Sequence, residues 1–405
     1  MRPRAGKVER RNRPNRHRSI HGADPYPTPG DTNCGGGPAV SSLTRVGVGG
    51  SRSERLMKLL PAKRSGRLAV DLGTANTVVV RRDEGVVLFE PSVVAVDELT
   101  GRVQAIGDQA RRMIGRTPAN IRATRPLRHG VITDFEMTAQ MLRHFIARAA
   151  GPRSRARVMV CVPSGITPVE RDAVAEATLD AGAAQAFLIE EPLAAAIGAG
   201  LPVGEPVGSL IVDVGGGTSE MGITASGGLV VSHSIRVGGY ELDEAIARSL
   251  QQDERLLIGQ EQAEALKLAI GSALPDDELD KTTTVAGRDL VTGLLRRAHV
   301  SAATVRTALQ RPLAQIVEAV TSVLEQAPPQ LSADLTTHGL TLVGGGALLP
   351  GFDELLHRKT GLAVSVDTDP LTTVARGAGE ALDEFKHFQA ASRRKRTHRY
   401  GKGRR

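Results

Sequence analysis

Short apolar runs that end in glycine turns alternate with stretches of helical periodicity along most of the chain. The apolar run at residues 68–70 enters a glycine turn, and residues 77–80 resume β character, which predicts a β-hairpin. By the same criteria, further strands are expected at residues 157–162, 187–189, 209–214, 221–224, 229–236 and 339–343.

Helical segments are predicted where apolar residues recur every three or four positions. Residues 138–150 show this spacing. The next helix has a clear start, with Thr167 as N-cap, Pro168 at the first position and Glu170 at the third. Further helices are expected at residues 192–199, after the glycine pair 238–239, and at residues 262–270, 305–325 and 374–388.

Strands and helices alternate through two similar halves of the chain. This order predicts an α/β fold with an internal duplication. The threonine-rich residues 276–300 interrupt the second half and are expected to form hairpins of a smaller subdomain.

Charge is distributed very unevenly along the 405 residues. Residues 1–67 hold 15 Lys and Arg against 4 acidic residues, and residues 386–405 hold 9 with no acid. The intervening residues therefore carry 28 basic against 40 acidic side chains, so the folded body is acidic and the ends are basic. The composition of residues 1–65 predicts a disordered extension, apart from a short amphipathic patch at residues 53–60.

The remaining composition bounds the compartment and the core. Trp is absent and aromatics are 2%, so the core must consist of aliphatic residues. Cys34 and Cys161 lie in unlike surroundings, which argues against a disulfide and for a reducing compartment, with Cys161 as a small buried hydrophobe. We find no secretory signal pattern and no apolar run of membrane-spanning length, so a cytosolic location is expected.

A short phrase occurs twice, as Asp71-Leu-Gly-Thr-Ala-Asn-Thr and as Asp213-Val-Gly-Gly-Gly-Thr-Ser. In each copy an apolar strand leads into Asp and a tight glycine turn. A third glycine turn lies at residues 344–346. Glycine lets backbone N–H groups converge on an anion, so two such turns that face each other predict a triphosphate site.

Several acidic residues near these turns have two interpretations. Asp71 and Asp213 each cap a turn or hold the waters of a Mg²⁺ ion. Glu170 completes a capping box or orients an attacking water. Glu190 suits a helix N-terminus or joins the outer shell of the metal. Glu264 lies one helical turn before Lys267, a spacing typical of a solvated ion pair.

Six motifs resemble the actin-type ATPase superfamily, and within it the MreB-type bacterial actins. They are DLGTANT (71–77), VCVPSGITPVER (160–171), FLIEEPLAAAIGAGLP (187–202), VDVGGGTSE (212–220), IRVGGYELDEAI (235–246) and LVGGGALLPG (342–351). DLGTA is shared with chaperones and sugar kinases, whereas IEEPLAAAIGAGLP beside VPSGIT is more specific to the MreB branch. The resemblance covers residues 67–383.

The resemblance implies an actin-like fold of two domains with duplicated ribonuclease-H-like cores around a nucleotide cleft. The implied boundaries are residues 66–205 and 206–385, with the final helix returning to the first domain. Residues 1–65 and 386–405 would be basic extensions.

The resemblance also implies ATP with Mg²⁺ in that cleft and assigns roles to residues. Glu170 and Thr218 would position the hydrolytic water, which favours a catalytic role for Glu170 beside its cap. Asp71, Asp213 and Glu190 would organise the metal. The nucleotide would contact Thr74, Ala75, Asn76, Gly215, Gly216, Gly217, Glu264, Ala265, Leu266, Lys267, Gly344, Gly345, Gly346 and Ala347.

The implied function is a cytoskeletal filament at the inner face of the cell membrane that organises cell-wall synthesis and cell shape, with slow ATP hydrolysis. Implied partners are further copies of the chain, an anionic membrane and the cell-wall machinery; nucleic acid is a less favoured partner of the basic tail. The alternatives are a monomeric chaperone-like ATPase and a nucleotide-binding scaffold that polymerises with little hydrolysis.

The sequence departs from the MreB pattern at three places. Tyr240 stands where the family usually has Asp after the paired glycines. Residues 151–157 are short and basic where many relatives carry apolar membrane-inserting residues. The basic ends have no counterpart, so membrane attachment is expected to depend on electrostatics.

Overall fold

The computed structural model describes residues 66–151, 156–275 and 281–382. Predictions about residues 1–65, the centre of the basic loop at 152–155, residues 276–280 and the chain after residue 382 lie outside the described residues.

The described residues contain 18 strands, which belong to five sheets. The strands are β1 (Arg67–Leu72), β2 (Asn76–Arg81), β3 (Gly85–Pro91), β4 (Val94–Asp97), β5 (Val103–Ile106), β6 (Ile121–Thr124), β7 (Leu127–Arg128), β8 (Val131–Ile132), β9 (Arg157–Val162), β10 (Gln185–Glu190), β11 (Ser209–Val214), β12 (Ser219–Ala225), β13 (Gly228–Ile235), β14 (Leu256–Leu257), β15 (Thr282–Asp289), β16 (Leu295–Ser301), β17 (Leu340–Val343) and β18 (Val364–Val366).

Ten α-helices connect these strands in the described part of the chain. They are α1 (Asp108–Arg111), α2 (Phe135–Ala150), α3 (Pro168–Asp180), α4 (Glu191–Gly198), α5 (Gly239–Asp253), α6 (Gln260–Ile270), α7 (Ala302–Glu325), α8 (Pro329–His338), α9 (Phe352–Thr360) and α10 (Thr373–Ala381). A 3₁₀ turn follows β17 at Gly345–Leu348.

Two five-stranded sheets have the same design. The first has the order β10-β9-β1-β2-β3, and the second has the order β18-β17-β11-β12-β13. In both, the strand that carries the repeated Asp phrase lies at the centre. Two antiparallel strands follow it on one side, and two parallel strands lie on the other. The internal duplication predicted from the sequence is therefore confirmed.

The central strands are buried, which explains their composition. β11 is buried at all six positions, and β1 is buried at four of its six positions. A strand covered on both faces needs apolar residues throughout rather than in alternation, and Val, Leu, Ile and Ala supply them here. Cys161 belongs to this apolar packing and is buried, as predicted.

Helices α4 and α10 pack together with their backbones in contact. A Cβ atom on Gly377 would lie 1.8 Å from the carbonyl oxygen of Ala194, and one on Gly198 would lie 2.0 Å from that of Thr373. α10 also packs against β1, β2 and β9 of the first sheet. The apolar cluster around the pair includes Ile211 and Val343 of the second sheet, so this helix pair joins the two sheets.

Capping residues set the helix starts. Thr167 and Glu170 form the predicted capping box, with the Thr167 N–H donating to Glu170 Oε2 at 2.7 Å. α2 begins at Phe135 rather than at the predicted residue 138, because the Asp134 side chain accepts the Met137 N–H at 3.1 Å.

The threonine-rich segment forms part of a three-stranded sheet of order β14-β15-β16, in agreement with the predicted hairpin. Within the described ranges, no helix combines the length and the apolar character needed to cross a lipid bilayer.

Candidate functional site

The two repeated turns touch each other. A Cβ atom on Gly216 would lie 2.5 Å from Ala75 Cβ, and one on Gly217 would lie 2.8 Å from Thr74 Oγ1. Any side chain at these two glycines would therefore collide with the opposite turn. The fold thus brings together the phrases at residues 71–77 and 213–219, as the sequence predicted.

The first turn is fixed by short hydrogen bonds. Ser92 Oγ donates to the Gly73 carbonyl at 2.6 Å, and the Ser92 N–H donates to the Ala75 carbonyl at 2.9 Å. The buried Thr74 hydroxyl accepts the Gly130 N–H at 2.9 Å. Asn76 begins β2, so the turn that joins β1 and β2 is rigid on both sides.

The carbonyl groups of the second turn all have partners. The Gly215 carbonyl accepts the Gly239 N–H at 2.9 Å, and the Gly216 carbonyl accepts the Tyr240 N–H at 2.8 Å. His129 Nδ1 lies 3.0 Å from the Gly217 carbonyl oxygen. The turn is therefore held by the start of α5 and by a residue from the first half of the chain.

Thr218 closes the second turn. Its carbonyl accepts the Gly215 N–H at 2.9 Å, and its side chain is buried.

The third glycine turn packs beneath the second. Gly344 has a φ of +81°, and a Cβ atom there would lie 2.2 Å from Asp213 Oδ1. Both the backbone conformation and the contact require glycine. A Cβ atom on Gly346 would lie 2.3 Å from a side-chain carbon of Val214. The 3₁₀ turn that follows contains Gly345, Gly346 and Ala347.

Asp71 and Asp213 have perturbed carboxyl groups. Burial raises the pKa of Asp71 to about 7 and the pKa of Asp213 to about 8, and repulsion from Asp71 adds to the rise at Asp213. A raised carboxyl pKa means that the ionised form is poorly solvated and has no compensating positive charge nearby. Carboxyl groups with such pKa values are common at functional sites.

A third carboxyl group near this pair is Glu191, which the sequence analysis did not single out. Glu191 is the first residue of α4 and is buried. Burial raises its pKa well above the usual range, and repulsion from Glu220, Asp71 and Asp213 contributes further.

Glu190, its neighbour, pairs instead with Arg171 at 3.1 Å and is half-buried. The two adjacent acidic residues before Pro192 indicated a functional carboxyl group, but the sequence does not distinguish which of the two is buried.

Glu220 is a second buried acid that the sequence analysis overlooked. It pairs across the hairpin with Asp213 in the register of β11 and β12. Its carboxylate accepts the Ser164 N–H at 3.1 Å, the Ser164 hydroxyl at 2.9 Å and the Ser234 hydroxyl at 2.5 Å. Burial raises the pKa of Glu220, while these hydrogen bonds lower it.

Glu170 lies in a different environment. Its carboxylate accepts both the N–H and the hydroxyl of Thr167, and these bonds, with Arg236 nearby, lower its pKa. The residue is half-buried at the start of α3. The capping function of Glu170 is confirmed, and its function in water positioning stays a prediction.

The two charged candidate adenosine residues on α6 each have a partner. Glu264 accepts from Arg111 at 3.1 Å, and Lys267 pairs with the buried Asp243 at 2.7 Å and donates to the Gly239 carbonyl at 3.0 Å. The spacing of Glu264 and Lys267 suggested an ion pair between them, but each is engaged elsewhere.

Two neighbours on α6 differ in their exposure. The Leu266 side chain lies in the hydrophobic core, so a nucleotide contact there would involve its backbone, whereas Ala265 is exposed.

Direct metal ligation is not preformed. Within the described residues, no group of three or more His, Cys, Asp or Glu side chains is arranged to hold a metal ion. The metal role of Asp71, Asp213 and Glu190 stays a prediction.

Comparisons with known proteins agree with this geometry. The sequence profile described as MreB/Mbl protein matches residues 65–390. The cell shape-determining protein MreB of Escherichia coli K12 is 49% identical over 326 residues, which cover 79% of this chain and 94% of that protein. The cell shape-determining protein Mbl of Bacillus subtilis 168 is 43% identical over 320 residues, covering 78% and 96%.

A solved structure is similar as well. The crystal structure of MreB5 of Spiroplasma citri bound to ADP matches with a TM-score of 0.76 and 34% identity, covering 80% of this chain and 98% of that one, and MreB5 has also been solved with AMPPNP. Duplicated sheets, facing glycine turns and these matches lead to one conclusion: the chain belongs to the MreB/Mbl family and has the actin-like fold.

Proposed function

We propose that this chain binds ATP between its two repeated turns and assembles into membrane-associated actin-like filaments that organise cell-wall synthesis and cell shape. The observation that carries the proposal is the direct contact of the turns at residues 73–76 and 215–218, with Asp71 and Asp213 beneath them. Similarity to proteins named for cell shape, and to MreB5 solved with adenine nucleotides, supports the cellular role and the ligand.

The turns are suited to hold the triphosphate. Because Gly216 and Gly217 have no side chains, the second turn packs directly on Ala75 and the Thr74 side chain of the first. The N–H groups of Gly239 and Tyr240 bond two carbonyl groups of the second turn, so the orientation of its peptide groups is set before a ligand binds. Such preorganisation lowers the cost of stabilising charge on a phosphoryl group.

Mg²⁺ would be held through its waters by Asp71 and Asp213, and its charge would offset theirs and that of the phosphates. The raised pKa values of both carboxyl groups support this assignment, because a nearby cation removes the cost of ionising them. Glu190 then remains a candidate for the outer shell only if it leaves Arg171.

Hydrolysis requires a group that orients water next to the γ-phosphate. Glu170 is the candidate that the family resemblance assigns, and its lowered pKa keeps it ionised. Glu191 is a second candidate, since it interacts electrostatically with Asp71 and Asp213, provided that a bound cation ionises it. Thr218, at the end of the second turn, is a candidate for the other contact to that water. A positioned carboxylate contributes on the order of 10²-fold to 10⁴-fold in such reactions.

The adenosine moiety would lie along the middle of α6, against Glu264, Ala265 and Lys267, with the third glycine turn as the opposite boundary. The existing pairs of Glu264 with Arg111 and Lys267 with Asp243 show that both side chains are already oriented by neighbours.

The test is sedimentation of the full-length protein with and without Mg-ATP, accompanied by phosphate release and electron microscopy on anionic lipid. Filaments that form with nucleotide and line the lipid are expected. Asp213→Asn should abolish the nucleotide response, whereas the exposed Asp83→Asn should not. A wild-type protein that neither binds nucleotide nor sediments would overturn the proposal.

A further inference from the structure

Arg125 stacks on the ring of Tyr240. The guanidinium carbon lies 4.7 Å from the ring centroid, which is the geometry of a cation–π interaction. Arg125 follows β6 in the first half of the chain, and Tyr240 is the second residue of α5. The same guanidinium donates to Gln260 at 3.3 Å. One arginine thus contacts both α5 and the start of α6.

The neighbouring residues of the first half make similar contacts. Arg111 pairs with Glu264 at 3.1 Å, and Arg116 pairs with Glu261 at 3.0 Å. We call Arg111, Arg116 and Arg125 the arginine row. All three reach α5 or α6 across more than a hundred residues of sequence, so they join the two halves beside the candidate nucleotide site.

Tyr240 contacts the second glycine turn as well as Arg125 of the arginine row. Its N–H donates to the Gly216 carbonyl at 2.8 Å. The residue that receives Arg125 is therefore also one that orients the second glycine turn. Movement of Arg125 away from the ring would remove a contact next to that turn.

The interactions of the row differ in their sensitivity to salt. The Arg116 and Glu261 side chains are 66% and 37% exposed, so their ion pair is weak and is screened by salt. Tyr240 is half-buried, and burial raises the pKa of its phenol, which keeps it neutral. An attraction between a cation and a neutral ring is screened less than an ion pair.

The Arg125 guanidinium also has a buried Nε atom with no hydrogen-bond acceptor in the described part of the chain. Its placement is therefore not determined by a full set of hydrogen bonds. The ring face and Gln260 contact it, and it also interacts with the Tyr240 phenol and electrostatically with Asp243.

We propose that Tyr240 is a positioning residue that holds Arg125, and with it the arginine row, against α5 and α6, so that bound nucleotide is released slowly and with little dependence on salt. This inference rests on the proposed nucleotide site. In this proposal, the Tyr240 ring helps to keep the two halves of the chain together beside that site.

The experiment measures the dissociation rate of a fluorescent ATP analogue from full-length protein, displaced by excess ATP, between 50 and 500 mM salt. Tyr240→Phe keeps the ring and should change the rate less than about twofold. Tyr240→Leu removes the ring and should raise it about five- to tenfold. Tyr240→Asp replaces the stack with an ion pair, and its rate should rise more steeply with salt than that of the wild type.

Arg125→Met provides a second test from the other side of the stack, in case the Leu variant does not fold. It should reproduce the faster release without altering Tyr240. Equal release rates and equal salt dependence in the wild type, the Leu variant and the Met variant would overturn the inference while leaving nucleotide binding intact. Absence of nucleotide binding by the wild type would instead overturn the proposed function, and the inference with it.

Discussion

At the scale of single residues, the identity of the buried carboxyl group at the start of α4 matters most. Glu190 and Glu191 are adjacent in sequence, yet Glu190 pairs with Arg171 and Glu191 is buried near Asp71 and Asp213. Neighbouring residues at the junction of a strand and a helix point in different directions, so sequence alone does not distinguish them.

Glu191→Gln should lower the rate of phosphate release at saturating ATP by about 10²-fold with little loss of ATP binding. The amide keeps the size of the side chain but cannot act as a base or hold a negative charge. Phosphate release and equilibrium binding, measured on the same preparation, check this. Unchanged hydrolysis would remove Glu191 from the mechanism.

Glu170→Ala separates the two interpretations of the capping residue. If Glu170 only caps α3, the variant loses about 1 kcal/mol of stability and keeps its hydrolysis rate. Urea unfolding and phosphate release distinguish the outcomes. A loss of hydrolysis far beyond the loss of stability would restore the catalytic function that the family resemblance assigns.

Asp243 predicts a specific pH dependence of stability. Burial raises its pKa from 3.8 to about 6, against the lowering effect of Lys267. The folded state therefore holds a proton more tightly than the unfolded state between these values. Its contribution to stability is complete below about pH 4 and is lost as the pH rises through 6, by up to about 3 kcal/mol.

The difference between the wild type and Asp243→Asn isolates this effect, because other titrating groups cancel. The free energy of unfolding of the wild type, relative to the variant, should fall between pH 4 and pH 6. A constant difference across that window would contradict the assignment.

At the scale of elements, the packing of α4 on α10 depends on glycine. Gly377→Ala would place a methyl group 1.8 Å from the Ala194 carbonyl oxygen, a contact that backbone atoms cannot relieve without moving the helices apart. We expect a loss of about 3 kcal/mol in the free energy of unfolding.

Gly204→Ala is the matched control, since no atom lies within 4 Å of the added Cβ. Its effect in urea unfolding should remain within about 0.5 kcal/mol. Equal stability of both variants would show that the helix pair tolerates separation.

Much of the element order was predictable because the strands carry strong local signals. β11 was predicted with its observed bounds, since a continuous apolar run ends there in Asp and three glycines. The start of α2 was missed because the capping function of Asp134 depends on geometry rather than on periodicity. β18 and α9 were not predicted because their apolar patterns are short.

Only part of the candidate site could be predicted from the sequence. The two Asp phrases revealed the facing turns because their residues are local and repeated. The contacts of Arg111 with Glu264 and of Arg125 with Tyr240 join positions far apart in sequence, and no local pattern reports such a pairing. The buried Glu220 was not predicted either, because its position opposite Asp213 depends on the register of the folded hairpin.

At the scale of the whole molecule, the two halves are expected to respond to nucleotide as a unit. A ligand that binds both turns stabilises the folded state by about 2.7 kcal/mol at a concentration 100 times its Kd. Mg-ATP should therefore raise the thermal midpoint, and chelation of Mg²⁺ should abolish most of the rise, because the metal no longer links the triphosphate to Asp71 and Asp213. An equal rise with and without Mg²⁺ would exclude the proposed metal role of both residues.

The most direct test of the central claim is a structure of the full-length protein with Mg²⁺ and a non-hydrolysable ATP analogue. The account predicts the triphosphate in contact with residues 73–76 on one side and 215–218 on the other, with Asp71 and Asp213 facing the metal through water. A nucleotide bound elsewhere, or phosphates that contact one turn only, would contradict the claim that the duplicated turns form one site.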